Sequence, residues 1–353
     1  MTTIATIVGA RPQFIKCAPV SRELRKTFDE ILIHTGQHYD YNMSQAFFDE
    51  LNIPEPDFNL EIGSGNHGEQ TGKMLIELEK VLLQIKPNLV LIYGDTNSTM
   101  AGALVAAKLQ IPVAHIEAGL RSFNRQMPEE INRIVADSLS NYLFAPTQTA
   151  VNHLLNEGYR DQIHLVGDVM YDAFLYNCQI AEKSEKLEQL AVRSKQYYLA
   201  TVHRPQNTDD PKILSALLHS LEELNLPTLF PIHPRTRNLM KQFGIMINNP
   251  QLRLIEPVGY LDMLALEKHA RLILTDSGGV QKEAYFAGVP CLVLRSETEW
   301  VELVKHGWAK LIGNDFSRIP AVAEGFKDFQ CTATDIFGNG QASLKIAEVL
   351  KSL

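Results

Sequence analysis

Leu272-Ile273-Leu274-Thr275-Asp276-Ser277-Gly278-Gly279-Val280-Gln281-Lys282-Glu283-Ala284 is the stretch on which the fold turns. A short apolar run ends in a polar turn with two glycines, and a helical pattern begins at once. Glycines let the backbone turn tightly and let a ligand approach with no Cβ in the way. The helix behind them offers unpaired N–H groups and the positive end of its dipole, which suit phosphate. Ser277 adds a hydroxyl donor, and Glu283 lies far enough along to reach hydroxyl groups beyond the phosphates. Taken alone, the turn is equally a helix start whose glycines serve only the turn.

Outward from this stretch the same strand–turn–helix unit recurs. Thr3–Val8 is a β-branched strand that ends at Gly9, and Pro12 sits where a helix begins, a position that tolerates its missing N–H. Glu30–His34 reads as the next strand, followed by a helix near Asn42–Leu51 and a loop over Asn52–His67. Met74, Leu75, Leu78, Val81, Leu82 and Ile85 recur at helical spacing and define a helix over Glu69–Ile85. Asn88–Tyr93 is a continuous apolar strand of the kind buried on both faces of a parallel sheet. A helix over Met100–Leu109, a strand over Pro112–Ile116 and a helix over Glu129–Ser140 follow. Tyr142–Ala145 and Ile163–Val166 read as strands around a helix over Ala150–Glu157.

Asp172–Gln196 turns charged and helical and reads as a solvated face or linker. The pattern then restarts with the strand Tyr197–Val202, the helix Ile213–Leu224 and the strand Thr228–Ile232. Leu252–Ile255 and Leu272–Thr275 are further strands on either side of the helix Leu261–His269, Pro290–Leu294 reads as the last strand, and Asp335–Leu353 as a closing helix. Alternation at this spacing predicts an α/β protein with two doubly wound domains. The expected division is residues 1–171, carrying acid/base residues, and 172–353, with the last helix at about 335–353 packing back on the first domain. Two such domains facing each other would take a ligand in the cleft at their strand ends.

Bulk properties narrow the classes. The 353 residues, 45% hydrophobic and 21% charged, suit a two-domain globular protein. A formal net charge of −8 argues against general affinity for nucleic acid or an anionic membrane. Cys17, Cys178, Cys291 and Cys331 are far apart and read as reduced thiols rather than metal ligands. No apolar run is long enough to span a bilayer and no signal segment is evident, so a cytoplasmic location is expected.

Asp95, Glu117, His203, His233 and Ser277 all stand at C-terminal ends of predicted parallel strands, the edge where open α/β sheets bind ligands. Singly, each has a plain structural role: Asp95 as a helix cap, His203 as a loop histidine, Glu129 and Glu130 as ornaments of a helix N-terminus. Their coincidence on one edge is the signal. Arg11 and Lys16, in the first turn and helix, are cations that can meet a diphosphate. Carboxylates and a histidine beside cations point to acid/base work on a substrate with a phosphate leaving group. No metal constellation appears, and the absence of Gly-x-Gly-x-x-Gly after the first strand disfavours a nicotinamide enzyme.

Several motifs together resemble the non-hydrolysing UDP-N-acetylglucosamine 2-epimerases: Gly9-Ala10-Arg11-Pro12-Gln13-Phe14-Ile15-Lys16, Gly94-Asp95-Thr96-Asn97-Ser98, His115-Ile116-Glu117-Ala118-Gly119-Leu120-Arg121, Met127-Pro128-Glu129-Glu130-Ile131-Asn132-Arg133, and the opening stretch. The resemblance runs in order over nearly the whole chain. It implies a GT-B-like fold of two Rossmann-type domains with a deep interdomain cleft, and no redox or metal cofactor. It also implies a homodimer acting on a UDP-sugar in cell-surface polysaccharide biosynthesis. The implied reaction removes the C2 proton and expels UDP from C1, passes through 2-acetamidoglucal, and re-adds UDP with protonation of the opposite face.

Carried over by motif, Asp95, Glu117 and Glu129 would be the acid/base carboxylates, and His203 and Arg133 would assist. Arg11 and Lys16 would support the leaving group, with His233 at the same edge. Ser277, Gly278 and Gly279 would hold phosphate and Glu283 the ribose. Two stretches depart from the family pattern, His203-Arg204-Pro205-Gln206-Asn207 and Thr298-Glu299-Trp300-Val301-Glu302. The short run Arg121–Pro128 resembles archaeal members and relatives acting on UDP-2,3-diacetamido-glucuronate. A GT-B glycosyltransferase would share the Ser277-Gly278-Gly279 to Glu283 site but has no need of three carboxylates in the first domain.

Overall fold

Short β-branched and apolar runs form the strands, and turns rich in Gly, Pro, Asp and Thr start the helices behind them. A computed structural model describes residues 2–36, 55–329 and 335–352. The helix read near Asn42–Leu51 lies outside the described residues. Contacts divide the chain into one unit of Met1–Leu175 with Asp335–Leu353 and a second of Tyr176–Thr334.

The first unit begins with β1 (Thr3–Val8), α1 (Arg11–Leu24), β2 (Asp29–His34) and β3 (Phe58–Asn59). It continues with α2 (His67–Ile85), β4 (Leu89–Tyr93), α3 (Asn97–Lys108), β5 (Val113–Ile116) and α4 (Pro128–Leu139). β6 (Tyr142–Ala145), α5 (Gln148–Asn156) and β7 (Ile163–Leu165) complete the run, and α6 (Val169–Ala181) carries the chain across the boundary at Leu175. All seven strands are parallel, in the order β3-β2-β1-β4-β5-β6-β7. Every residue of β4 is buried, as a strand covered by helices on both faces must be. Met74, Leu78 and Leu82 of α2 and the small residues of α3 join Ile7, Val90 and Ile92 in the core. A Cβ on Gly102 of α3 would come within 2.9 Å of Ile7, which shows how closely that helix lies on the sheet.

In the second unit, α7 (Lys186–Gln189), β8 (Tyr198–Thr201), α8 (Pro205–Thr208), α9 (Pro211–Glu222) and β9 (Thr228–Pro231) come first. Next are α10 (Pro234–Phe243), β10 (Leu252–Ile255), α11 (Tyr260–His269), β11 (Leu272–Thr275) and α12 (Gly278–Phe286). β12 (Cys291–Val293), α13 (Val301–Lys305), β13 (Ala309–Leu311) and α14 (Ile319–Glu324) follow, and α15 (Ala342–Leu350) returns to α1 in the first unit. The second sheet, also parallel, has the order β10-β9-β8-β11-β12-β13.

Both sheets therefore have the doubly wound order, and each reverses direction once, between β1 and β4 and between β8 and β11. That reversal opens a crevice at the strand C-termini. Gly9 and Gly94-Asp95 lie at the first, His203 and Asp276-Ser277 at the second.

Some sequence expectations are corrected. Pro290–Leu294 is followed by one more strand, β13, which is only three residues long and carries exposed Lys310, so no apolar run marks it. The closing helix is confined to Ala342–Leu350, because Gly338 and Gly340 hold left-handed backbone before it. Asp172 caps that helix, accepting from the Ala342 and Ser343 amides at 3.1 and 2.7 Å. Asp172–Gln196 is not simply a solvated face, since α6 buries Ala173, Phe174, Asn177 and Cys178 along one stripe.

Candidate active site

The turns after β1 and β4 are locked together by one side chain. Gln13, 1% exposed, accepts from the Gly9 and Ala10 amides at 2.8 and 3.0 Å. Its amide nitrogen donates to Tyr93 O at 2.8 Å and to Thr99 Oγ1 at 3.1 Å. One turn of α1 further on, Lys16 forms a buried ion pair with Glu117 from the turn after β5. Gly94 lies against that pair: a Cβ there would stand 3.2 Å from Glu117 Oε2 and 3.3 Å from Lys16 Nζ, and its φ of +62° also favours glycine.

Glu117 itself has φ +71°. A non-glycine residue in the left-handed region costs of order 1 kcal/mol or more, and such strain collects at functional sites. The Glu117 and Ala118 amides both donate to Phe144 O at 3.1 Å, which holds the turn in this shape.

The second carboxylate–cation pair lies on the neighbouring turn. Half-buried Asp95 pairs with Arg133 of α4, whose other nitrogen reaches Glu130 at 3.0 Å. Burial works against the Arg133 charge, but Asp95, Glu130 and Glu117 together raise its pKa above the usual guanidinium value. Asn132 of the same helix donates to Asp95 O at 2.9 Å and Asn97 Oδ1 at 3.2 Å. Adjacent Glu129 and Glu130 have different surroundings. Glu130 is 1% exposed and accepts from the Ser122 amide and hydroxyl and the Phe123 amide. Burial pushes its carboxyl up, yet these bonds and Arg133 hold it below the usual carboxylate range. Glu129 is exposed at the start of α4. Arg11 begins α1, and its side chain lies outside the described part of the structure.

In the second unit the centre is Asp276, fully buried after β11. It accepts from the His203 amide at 3.1 Å, the Arg204 amide at 3.0 Å and Asn207 Nδ2 at 2.9 Å, and His203 Nδ1 stands 3.4 Å away. Asp276 thus ties the loop after β8 to the turn after β11. Ser277 caps α12, taking the Val280 amide on its hydroxyl. His233 caps α10, accepting from the Arg235 amide at 3.2 Å, and burial, then His203 and Arg235, push its pKa down.

Gly278 and Gly279 open α12 outside the left-handed region. An added Cβ would come no closer than 3.6 Å to any neighbour of Gly278 and 3.9 Å to any of Gly279, ordinary contact in both cases. Glycine in a helix costs about 0.5–1 kcal/mol relative to alanine. The chain's own packing gives no reason for that cost, whereas a ligand brought against the backbone does. Trp300, from one of the divergent stretches, donates to Gly278 O at 2.9 Å, and Lys282 Nζ sits 4.3 Å over its ring. Glu283 is 7% exposed, and beside it Glu267 has its pKa raised, first by burial and then by the Glu283 charge.

The UDP-N-acetylglucosamine 2-epimerase family model matches residues 22–351. The chain belongs to that family. Its relatives include the UDP-N-acetylglucosamine 2-epimerase homolog of Methanococcus maripaludis, 54% identical over 99% of both chains. The UDP-2,3-diacetamido-2,3-dideoxy-D-glucuronate 2-epimerase of Pseudomonas aeruginosa is 48% identical over 99% of both. Among solved structures, Methanocaldococcus jannaschii UDP-GlcNAc 2-epimerase in complex with UDP-GlcNAc and UDP superposes with a TM-score of 0.90, at 47% identity and full coverage of both chains. The protein is an isomerase of the 2-epimerase family with the GT-B-like pair of Rossmann-type units. Among the described residues no helix is long and apolar enough to cross a membrane.

The two pairs Lys16–Glu117 and Asp95–Arg133 join sequence-predicted residues, and His203 meets the Ser277 turn through Asp276. The sequence reading singled out no role for Gln13, Asn132, Asn207 or Asp276. Each is polar and stands inside a recognised motif or loop, but only its buried bonds reveal what it holds.

Proposed function

We propose that this epimerase inverts C2 of UDP-N-acetylglucosamine to give UDP-N-acetylmannosamine. UDP is eliminated to 2-acetamidoglucal and then re-added. The observation that carries this reading is the pair of carboxylate–cation contacts on adjacent turns, Glu117 with Lys16 and Asp95 with Arg133. Two carboxylates in different surroundings suit removal of a proton from one face and its return to the other. In this reading Glu117, Asp95 and Glu129 serve the proton transfers, with Lys16, Arg11 and Arg133 countering the negative charge that develops. The amides opening α12, with Ser277, take the diphosphate, Glu283 the ribose, and His203 and His233 flank the nucleotide end. UDP must leave C1 yet remain bound, so its grip has to be independent of the sugar. A cytoplasmic homodimer goes with this reading.

Incubation with UDP-N-acetylglucosamine in heavy water is expected to place deuterium at C2 of both epimers, without release of free sugar. A glycosyltransferase, a hydrolysing epimerase or a binding protein would leave C2 unlabelled or liberate the sugar, and any of these outcomes overturns the proposal. The 48% identity to the diacetamido-glucuronate enzyme favours a second substrate for the same chemistry. UDP-2,3-diacetamido-glucuronate run in parallel decides between the two by relative kcat/KM.

The glycines of α12 allow a separate check. Gly279→Ala is expected to stabilise the fold by about 0.5–1 kcal/mol in urea unfolding, since helical alanine fits there. UDP affinity should fall about tenfold in the same variant. A variant more stable and equally tight for UDP would return those glycines to a purely local role.

A further inference from the structure

Behind the Glu117 turn lies a buried polar cluster that none of the roles above uses. His115 on β5 and Asp137 on α4 are both completely buried. His115 Nε2 is 2.7 Å from Gly94 O, and Nδ1 is 2.7 Å from Asp137 Oδ1. The other oxygen of Asp137 accepts from the Gly119 amide at 3.1 Å and from Arg121 Nη1 at 2.7 Å. Arg121 is held in turn by Glu157, at 2.7 and 2.6 Å, and by Leu120 O at 2.7 Å.

The cluster spans both catalytic turns. Gly94 precedes Asp95, and Gly119 closes the turn that carries Glu117. Neither turn has slack: Gly94 and Gly119 hold φ of +62° and +80°, and a Cβ on Gly119 would fall 2.5 Å from Ala150 O. Glycine takes such backbone freely, but Glu117 between them holds φ +71°, and a non-glycine residue persists there only where its surroundings over-determine it. One carboxylate supplies that constraint to both turns, directly through Gly119 and through His115 to Gly94. Burial pushes the Asp137 carboxyl up, but the His115 bond and the Arg121 charge keep it below the usual range.

We propose that Asp137 is a positioning residue for the epimerisation: acting through His115 and the Gly119 amide, it sets the distance between the turns that carry Asp95 and Glu117. The inference rests on the C2-epimerisation reading. An ion pair that served stability alone would need only Arg121. Here Asp137 also holds the Gly119 amide of one turn directly and reaches Gly94 O of the other through the His115 ring, so its loss moves the catalytic groups relative to one another. A displacement of about 1 Å at reacting groups costs up to about 100-fold in rate.

The test is Asp137→Asn. The amide is nearly the same size but carries no charge to hold Arg121, and its NH2 either opposes a donor or obliges His115 Nδ1 to become an acceptor, which alters the link between the two turns. Expected is a fall of about 30-fold in kcat per UDP-binding site, counted by titration, with KM within threefold of wild type. His115→Asn serves if that variant does not fold, because it keeps a donor toward Asp137 and drops the one to Gly94 O. Counting sites by UDP separates positioning from loss of folded enzyme. A variant with a lower melting temperature but unchanged kcat per UDP site overturns the proposal, as does an equal rise in KM. Wild-type C2 exchange is measured first: its absence with both UDP-sugars removes the epimerisation reading and this inference with it, whereas exchange with no Asp137 effect removes this inference alone.

Discussion

Glu117→Gln is expected to lower epimerisation and C2 exchange at least about 1,000-fold while UDP affinity stays within about twofold. The substitution keeps the shape of the side chain and removes its capacity to take a proton, and general acid–base groups contribute about 10²–10⁴ in rate. It also leaves Lys16 facing a neutral amide. With side-chain exposures of 11% for Lys16 and 8% for Glu117, part of the loss on breaking a buried pair, about 3–5 kcal/mol, should appear as lowered stability. Melting temperature, UDP titration and deuterium exchange are therefore read on the same preparation. Parallel losses of UDP affinity and rate would assign Glu117 to binding instead, and full exchange activity would remove it from the chemistry.

Asp276→Ala is expected to weaken UDP binding about 100-fold, with a smaller effect on kcat at saturating substrate. Three donors converge on this carboxylate, the His203 and Arg204 amides and Asn207 Nδ2. Each buried donor left without an acceptor costs about 1–3 kcal/mol, so the loop after β8 should abandon its present course. A 100-fold loss equals about 2.7 kcal/mol, within what that displacement can remove. Calorimetric titration with UDP measures the effect, and Ser277→Ala is the comparison, since it removes a cap on α12 without releasing the loop. An affinity within threefold of wild type for Asp276→Ala would show that the loop after β8 plays no part in holding the nucleotide.

Much of the fold could be read in the linear chain. The runs Thr3–Val8 and Leu272–Thr275 appear as strands with the same bounds in the structure, because a parallel strand covered on both faces needs near-continuous apolar or β-branched residues; Leu252–Ile255 also keeps its bounds, as a half-buried edge strand that tolerates Arg253. β13 was not legible, since three residues flanked by a tryptophan and an isoleucine carry no periodicity of their own. The nature of the site was readable from motif and strand-end position. Its wiring was not: Lys16 and Glu117 are 101 residues apart in sequence, and His115 reaches Asp137 across 22.

Local residue preference and the succession of strand, turn and helix by themselves determined the doubly wound class, and the ordered motifs determined the family. Both are written over short windows, in which neighbouring residues specify their own conformation. Only the tertiary structure decided which polar residues become partners. Sheet order β1-β4-β5 brings three distant turns side by side, and no spacing along the chain encodes that adjacency. It distinguished Glu130, buried and bonded, from exposed Glu129. It placed Glu117 in left-handed backbone and joined Asp276, next to the Ser277-Gly278-Gly279 turn in sequence, to the distant His203 loop. That turn was ambiguous as sequence. Its glycines acquire meaning from neighbours that would accept a Cβ at ordinary contact distance, which only the folded chain displays.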